Sequence, residues 1–154
     1  GFTSKISHID TYDGSLEEAY APMSVTVRIE DNIDISRGDM IVRPSNVPEV
    51  SQDIDLMVCW MSRTPLKVNG KYAIKHTTRE ARCVVKEILY KVDINTLHRI
   101  EDDVALGMND IGRIRIRTTV PFFYDTYRRN RITGSLILID EGTNETVGAG
   151  MIVK

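Results

Sequence analysis

Arginines carry the strongest chemical signal in this sequence. Arg113, Arg115 and Arg117 recur at every second position, and Arg128, Arg129 and Arg131 follow in the same stretch. Asp125 is the only acid between positions 113 and 131. A guanidinium presents a planar fork of N–H donors and stays charged at any ordinary pH. Such a cluster therefore suits a carboxylate, a phosphate or a larger acidic surface. For the first three arginines, alternation with Ile114, Ile116 and Thr118 sets them on one face of a strand. The plainer expectation there is a wet face whose charges pair across the sheet with acids such as Glu80 or Glu87. Tyr127-Arg128-Arg129-Asn130-Arg131 reads instead as a polar loop between Phe122-Phe123-Tyr124 and Thr133-Gly134-Ser135, and loops carry interactions disproportionately. The interface candidates are thus Arg113, Arg115, Arg117, Tyr127, Arg128, Arg129, Asn130 and Arg131.

Other reactive groupings find no support. No Gly-rich loop leads into Lys-Ser/Thr, the arrangement that cradles nucleotide phosphates, and no Gly-x-Ser-x-Gly elbow occurs. His8, His76 and His98 are scattered, with no cysteine or carboxylate at ligand spacing. Glu101-Asp102-Asp103 lacks the alternating ligands and glycine turn of a calcium loop and is expected to be a solvated loop. Gly148-Ala149-Gly150 lies in a terminal strand pattern, where glycine serves close backbone approach. Cys59 and Cys83 sit in apolar runs and read as buried free thiols of a reducing compartment. Trp60 ends one of those runs, with the core as its expected place. No catalytic, cofactor-binding or metal-ligating residue is assigned to this chain.

The elements that must position these residues are strands. Val25, Val27 and Ile29 alternate with polar neighbours, as do Ile114, Ile116 and Val120, and that period of two marks half-buried strands. Further strands are expected at 4–11, 39–43, 54–61, 71–76, 79–92, 135–140 and 145–153. Turn signals separate them at Asp13-Gly14, Arg37-Gly38-Asp39, Asn69-Gly70, Asn109-Asp110 and Glu141-Gly142. Asn69-Gly70 is the sharpest and predicts a two-residue hairpin turn. One capping-box pattern, Ser15-Leu16-Glu17-Glu18, predicts a short helix or structured loop that Pro22 would stop. The fold class is all-β, a sandwich or barrel.

Organisation follows from charge and proline. Residues 1–52 carry −5 and residues 53–154 carry +3 of the net −2, and Arg43-Pro44-Ser45-Asn46-Val47-Pro48-Glu49 reads as a boundary. The expected domains are 1–46 and 47–154. The first has too few strands to close a barrel, so it is expected to be cut open on its upstream side. Its free edge then offers pairing with a second copy. The chain shows no charged-then-apolar leader and no apolar run of membrane-spanning length, and a cytoplasmic location is expected.

The stretch Asp125-Thr126-Tyr127-Arg128-Arg129-Asn130-Arg131-Ile132-Thr133-Gly134-Ser135-Leu136-Ile137-Leu138-Ile139-Asp140 resembles a signature of the large, GTP-binding subunit of bacterial sulfate adenylyltransferase. The ending Thr143-Asn144-Glu145-Thr146-Val147-Gly148-Ala149-Gly150-Met151-Ile152 resembles that subunit as well, as do Lys75-His76-Thr77, Asp93-Ile94-Asn95-Thr96-Leu97 and Leu106-Gly107-Met108-Asn109-Asp110-Ile111-Gly112-Arg113. Tyr12-Asp13-Gly14-Ser15-Leu16-Glu17-Glu18-Ala19 and Ile35-Ser36-Arg37-Gly38-Asp39 are similar to the end of its second domain. The resemblance spans nearly the whole chain and is most specific over 125–140.

That family is similar in layout to elongation factor Tu, a GTPase domain followed by two β-barrels. The resemblance implies a partial translation-factor-like barrel at 1–46 and a complete one at 47–154. It also implies a parent that couples GTP hydrolysis to formation of adenosine 5′-phosphosulfate from ATP and sulfate. GTP and Mg would belong to the absent GTPase domain and ATP to a small adenylyl-transferring subunit. This fragment would be non-catalytic, docking to its own GTPase domain and to the small subunit, with no nucleic acid and no membrane. The competing expectations are a tRNA- or RNA-facing barrel of a translation-factor GTPase, and a barrel with its own small-molecule pocket. Low charge and few aromatics weigh against the first, and inward Val and Ile positions against the second.

Overall fold

The alternating Val/Ile runs form strands throughout the computed structural model, which describes residues 1–102 and 105–154. The order is β1 (Ile6–Thr11), β2 (Gly14–Leu16), β3 (Thr26–Ile29), β4 (Glu49–Trp60), β5 (Lys71–His76), β6 (Arg79–Val92), β7 (Arg99–Ile100), β8 (Ile111–Tyr124), β9 (Ser135–Ile139) and β10 (Thr146–Ile152). By contact the chain divides into two compact units, Gly1–Ser36 and Arg37–Lys154.

The first unit is an antiparallel sheet in the order β2-β1-β3, too few strands to close on itself. Thr11 stands opposite Gly14, so Tyr12-Asp13 makes the turn. Gly14 adopts φ +130°, a conformation that suits a residue without Cβ. The capping-box expectation fails here, and no helix occurs among the described residues. Register puts Ser15 across from Asp10, and its Oγ donates to Asp10 Oδ1 at 2.6 Å. The hydroxyl that would cap a helix is spent on a cross-strand bond. That bond and the one from Arg28 hold the Asp10 carboxyl below its usual value.

The second unit closes. Strands run β5-β9-β10-β4-β8-β6, and β6 pairs back to β5, so six strands form a ring with β7 appended to β6. Every pairing is antiparallel. Alternation sends Ile54, Leu56, Val58 and Trp60 of β4 inward against Ile114 and Ile116 of β8. Ile74, Val85, Leu136, Leu138 and Ile152 complete the core. Trp60 is core as expected, its Nε1 donating to Thr64 O at 2.8 Å and its ring meeting Tyr72 edge-on at 5.4 Å.

Two sequence expectations move. Residues 39–43 form no strand, because Met40-Ile41-Val42 finds no partner in either ladder. The two-residue hairpin turn is Thr77-Thr78, with His76 opposite Arg79 and Thr77 at φ +50°. Asn69-Gly70 instead closes a tight turn from Lys67 that leads into β5 and bonds across to Val85. The glycine expectation for 148–150 holds in a specific form. Gly148 and Gly150 face the core, and a Cβ on Gly148 would lie 3.2 Å from both Trp60 and Val58 side chains.

Gly148→Val therefore overpacks a filled core. It should lower unfolding free energy by about 1–3 kcal/mol, read as a drop in the urea midpoint. Ala149→Val, on the outward side of the same strand, should leave the midpoint within about 0.5 kcal/mol of the parent.

Candidate functional site

The strand arginines pair across the sheet as expected, with Glu87 and with two acids that the sequence reading did not choose. Asp53, Asp55 and Met57 of β4 stand opposite Arg117, Arg115 and Arg113 of β8. Arg113 Nη2 and Arg115 Nε each donate to Asp55 at 2.8 Å, Arg115 Nη1 reaches Glu87 at 3.3 Å, and Arg117 Nη1 donates to Asp53 at 2.9 Å. Glu80 pairs with Lys75 instead. The Asp55 side chain is only 7% exposed. Burial alone would raise its carboxyl pKa, but the hydrogen bonds from Arg115 and Arg113 outweigh that and hold it below 3.8. The same partner raises both arginines. The charges on this face are thus largely matched within the barrel. The signal was present in the sequence as Asp53-x-Asp55 facing Arg113-x-Arg115-x-Arg117, needing only the register to join them.

The arginines of 128–131 have a different setting. Asp125 accepts from Thr133 Oγ1 at 2.7 Å and pairs with Arg129 at 3.3 Å. Arg129 also reaches Asn46 Oδ1, joining the Arg43–Asn46 turn to the loop. Tyr127 N–H donates to Ile152 O at 2.8 Å, and Ile152 N–H to Gly134 O at 2.7 Å. Gly134 is wedged so closely that a Cβ would fall 2.5 Å from Tyr127 backbone atoms and from Asn130 O. The far side is held by His76, 2% exposed, whose Nε2 donates to Thr133 O at 2.8 Å and whose ring meets Phe122 edge-on.

The loop is therefore clamped from three strands, while its tip stays open. Arg128, Asn130 and Arg131 are exposed, as is Ile132 at 77%. Among the described residues, Arg128 and Arg131 have no ion pair. The Arg131 guanidinium lies 5.9 Å from the Tyr127 ring. His76 and Gly134 are the residues that sequence reasoning missed as supports. Nothing local marks a histidine at a strand end as the clamp of a loop 57 residues away.

Other groups form no site. Among the described residues, no three of His, Cys, Asp or Glu gather as metal ligands. Glu101 and Asp102 are exposed, and Asp103 lies outside the described residues. Cys83 is buried as expected, and burial pushes its thiol up to about 12, which leaves it unreactive at neutral pH. Cys59 is only half-buried, because its odd position on β4 faces outward. A shallow recess of about 140 Å³ at one barrel mouth is lined by residues including Trp60, Tyr72, Asp140 and Glu145. Asp140 Oδ1 is engaged by the N–H groups of Gly142 and Thr143.

Against known proteins, the family model described as GTP-eEF1A C-terminal domain-like matches residues 53–153. A bifunctional enzyme CysN/CysC of Mycobacterium tuberculosis is 48% identical across 100% of this chain and 25% of its own length. A sulfate adenylyltransferase subunit 1 of Bacteroides thetaiotaomicron is 42% identical across 99% of this chain and 33% of its own. The chain thus spans a quarter to a third of these relatives. The crystal structure of sup35 complexed with GDP superposes with a TM-score of 0.84 over 98% of this chain and 37% of that one. At 16% identity that likeness speaks to the fold alone.

Asp55→Ala should destabilise by about 2–3 kcal/mol, less than a fully buried pair because Arg113 and Arg115 keep some solvent. The pH signature is specific. Asp55 has a lowered folded-state pKa, so its stabilisation is present above the unfolded value and is lost as pH falls through the folded one. The stability gap between parent and Asp55→Asn should narrow as pH drops below 3.8, measured by denaturant titration across pH.

Proposed function

The chain belongs to the GTP-eEF1A C-terminal domain-like family, and from that premise we propose that it is the barrel tail of the large, GTP-using subunit of a sulfate adenylyltransferase. The observation that carries the reading is identity along both compact units, 42% over 99% of the chain to a sulfate adenylyltransferase subunit 1 and 48% over 100% to a bifunctional enzyme CysN/CysC. The parent uses GTP hydrolysis to drive formation of adenosine 5′-phosphosulfate and pyrophosphate from ATP and sulfate in the cytoplasm. The phosphate–sulfate anhydride is a high-energy product, so coupling to a second hydrolysis makes its formation favourable. GTP and Mg are held by the GTPase domain, and ATP by a small subunit that carries out the adenylyl transfer.

The role left to this region is mechanical. A closed barrel keeps its loops in fixed relation to one another. When the nucleotide state changes the docking of a barrel against a GTPase domain, the barrel moves as one body and its far surface moves with it. Ion pairing of Arg113, Arg115 and Arg117 inside the barrel supports a stiffening role for them and leaves the 127–132 loop as the contact surface. The same pairing weighs against an RNA-facing reading, since charges already matched by Asp53, Asp55 and Glu87 release few counterions on binding phosphate. The first unit's edge strands, β2 and β3, offer backbone pairing to a second copy.

The test is sulfate-dependent exchange of pyrophosphate into ATP, run on the full-length protein with its copurifying subunit. Exchange that rises when GTP is added is the expected result. A preparation that hydrolyses GTP and retains its partner yet shows no exchange would overturn the assignment.

A further inference from the structure

The loop at 127–132 combines features that the rest of the barrel surface does not bring together. It has backbone held from three strands, with Gly134 and His76 as fixed supports. Its one acid, Asp125, is neutralised from within by Arg129 and Thr133. Two exposed arginines, Arg128 and Arg131, have no acidic partner among the described residues, and the isoleucine that follows them, Ile132, is 77% exposed. On the barrel strands, Arg82 answers to Glu141, and Arg113, Arg115 and Arg117 to their β4 and β6 partners, whereas Arg79 and Arg99 lie over aromatic rings.

We propose that this loop is a pre-built anchor for the second subunit, with Arg128 and Arg131 pairing with carboxylates on that subunit and Ile132 entering an apolar recess beside them. The proposal rests on the reading of the parent as a two-subunit enzyme and adds to it the place and chemistry of the contact. Rigidity is what makes a small contact effective, because the loop's backbone is already ordered and only its side chains remain to be fixed on binding. Arginine is the fitting cation, since its fork engages a carboxylate with two hydrogen bonds and is more weakly hydrated than an ammonium.

A separate protein is the favoured occupant for two reasons. Unmatched charge at a rim raises the rate of encounter between diffusing partners. A domain tethered in the same chain is already at high effective concentration and gains little from such steering. Nucleic acid fits less well. Tyr127 lies beside Arg131, so the loop shows no open aromatic platform for a base. Two free arginines also fall well short of the set of phosphate contacts that nucleic-acid affinity needs.

The experiment uses the full-length protein and its copurifying subunit, with affinity measured by calorimetry at low and moderate salt. The double substitution Arg128→Glu with Arg131→Glu should weaken association at least tenfold at low salt and remove most of its salt dependence. Ile132→Asp should weaken it at both salt concentrations. A charge-matched control, Lys67→Glu with Lys86→Glu, places the same change on other exposed positions and should leave affinity within twofold. Because all these side chains are exposed, every variant should keep the parent's thermal midpoint. Unchanged affinity in the double variant, with the parent complex intact, overturns the anchor and leaves the enzymatic reading standing. Failure of any subunit to copurify with the parent overturns both. Salt-dependent binding of transfer RNA that is lost in the double variant also overturns the anchor, assigning the loop to nucleic acid.

Discussion

Ring closure is the constraint on which the second unit depends. Once β6 pairs back to β5, the ladder of the six closing strands has no lateral edge, and each of their residues must point into the core or away from it. The inside has to be filled to the density of a protein interior, with no room for side chains that do other work. Trp60, Phe122 and the Ile/Leu set supply that filling, and β10 gives it space by presenting Gly148 and Gly150 inward. A barrel so filled cannot house a substrate. Function has to lie on the outer face or on the loops at the rims.

The outer face then separates arginines by register. On β8, antiparallel pairing with β4 brings Asp53 and Asp55 to the arginines without any choice of loop conformation. Asp55 is the centre of that arrangement, and its backbone also exchanges hydrogen bonds with Val153 and Lys154 at the end of β10. A carboxylate buried at this junction would be costly alone. Two arginines make it tolerable and tie three strands together. The loop arginines escape this matching because a loop leaves the ladder. Among the described residues, only Asp125, at its root, comes close enough to take one of them.

Most strands were legible in the sequence because alternation reports burial directly, whereas closure into a barrel was expected only from the family resemblance. Ile54, Leu56 and Val58, or Ile114 and Ile116, can face one way only. What could not be read was whatever depends on which strand lies beside which. Asp55 went unnoticed because its partners lie 58 and 60 residues away. Ser15 was misread because a capping box and a cross-strand hydroxyl share the same local letters, and the Tyr12-Asp13 turn decides between them. Asn69-Gly70 had the dihedral tolerance of a hairpin turn, but the β5–β6 register placed the hairpin at Thr77-Thr78, where a β-branched residue accepts φ +50°. Local propensity yielded to tertiary pairing in each case.

The same division explains why the loop's residue types were visible and its rigid support was not. The run of arginines around Asn130 announces a polar segment, but a flexible polar loop and a clamped one have the same composition. The difference comes from His76 on one strand, Ile152 on another and a glycine that no other residue could replace. A mobile loop would lose much of any binding energy to ordering. With the loop fixed to the barrel, a force on Arg128 or Arg131 is a force on β5, β9 and β10 together. A contact there therefore acts on the whole barrel as one body.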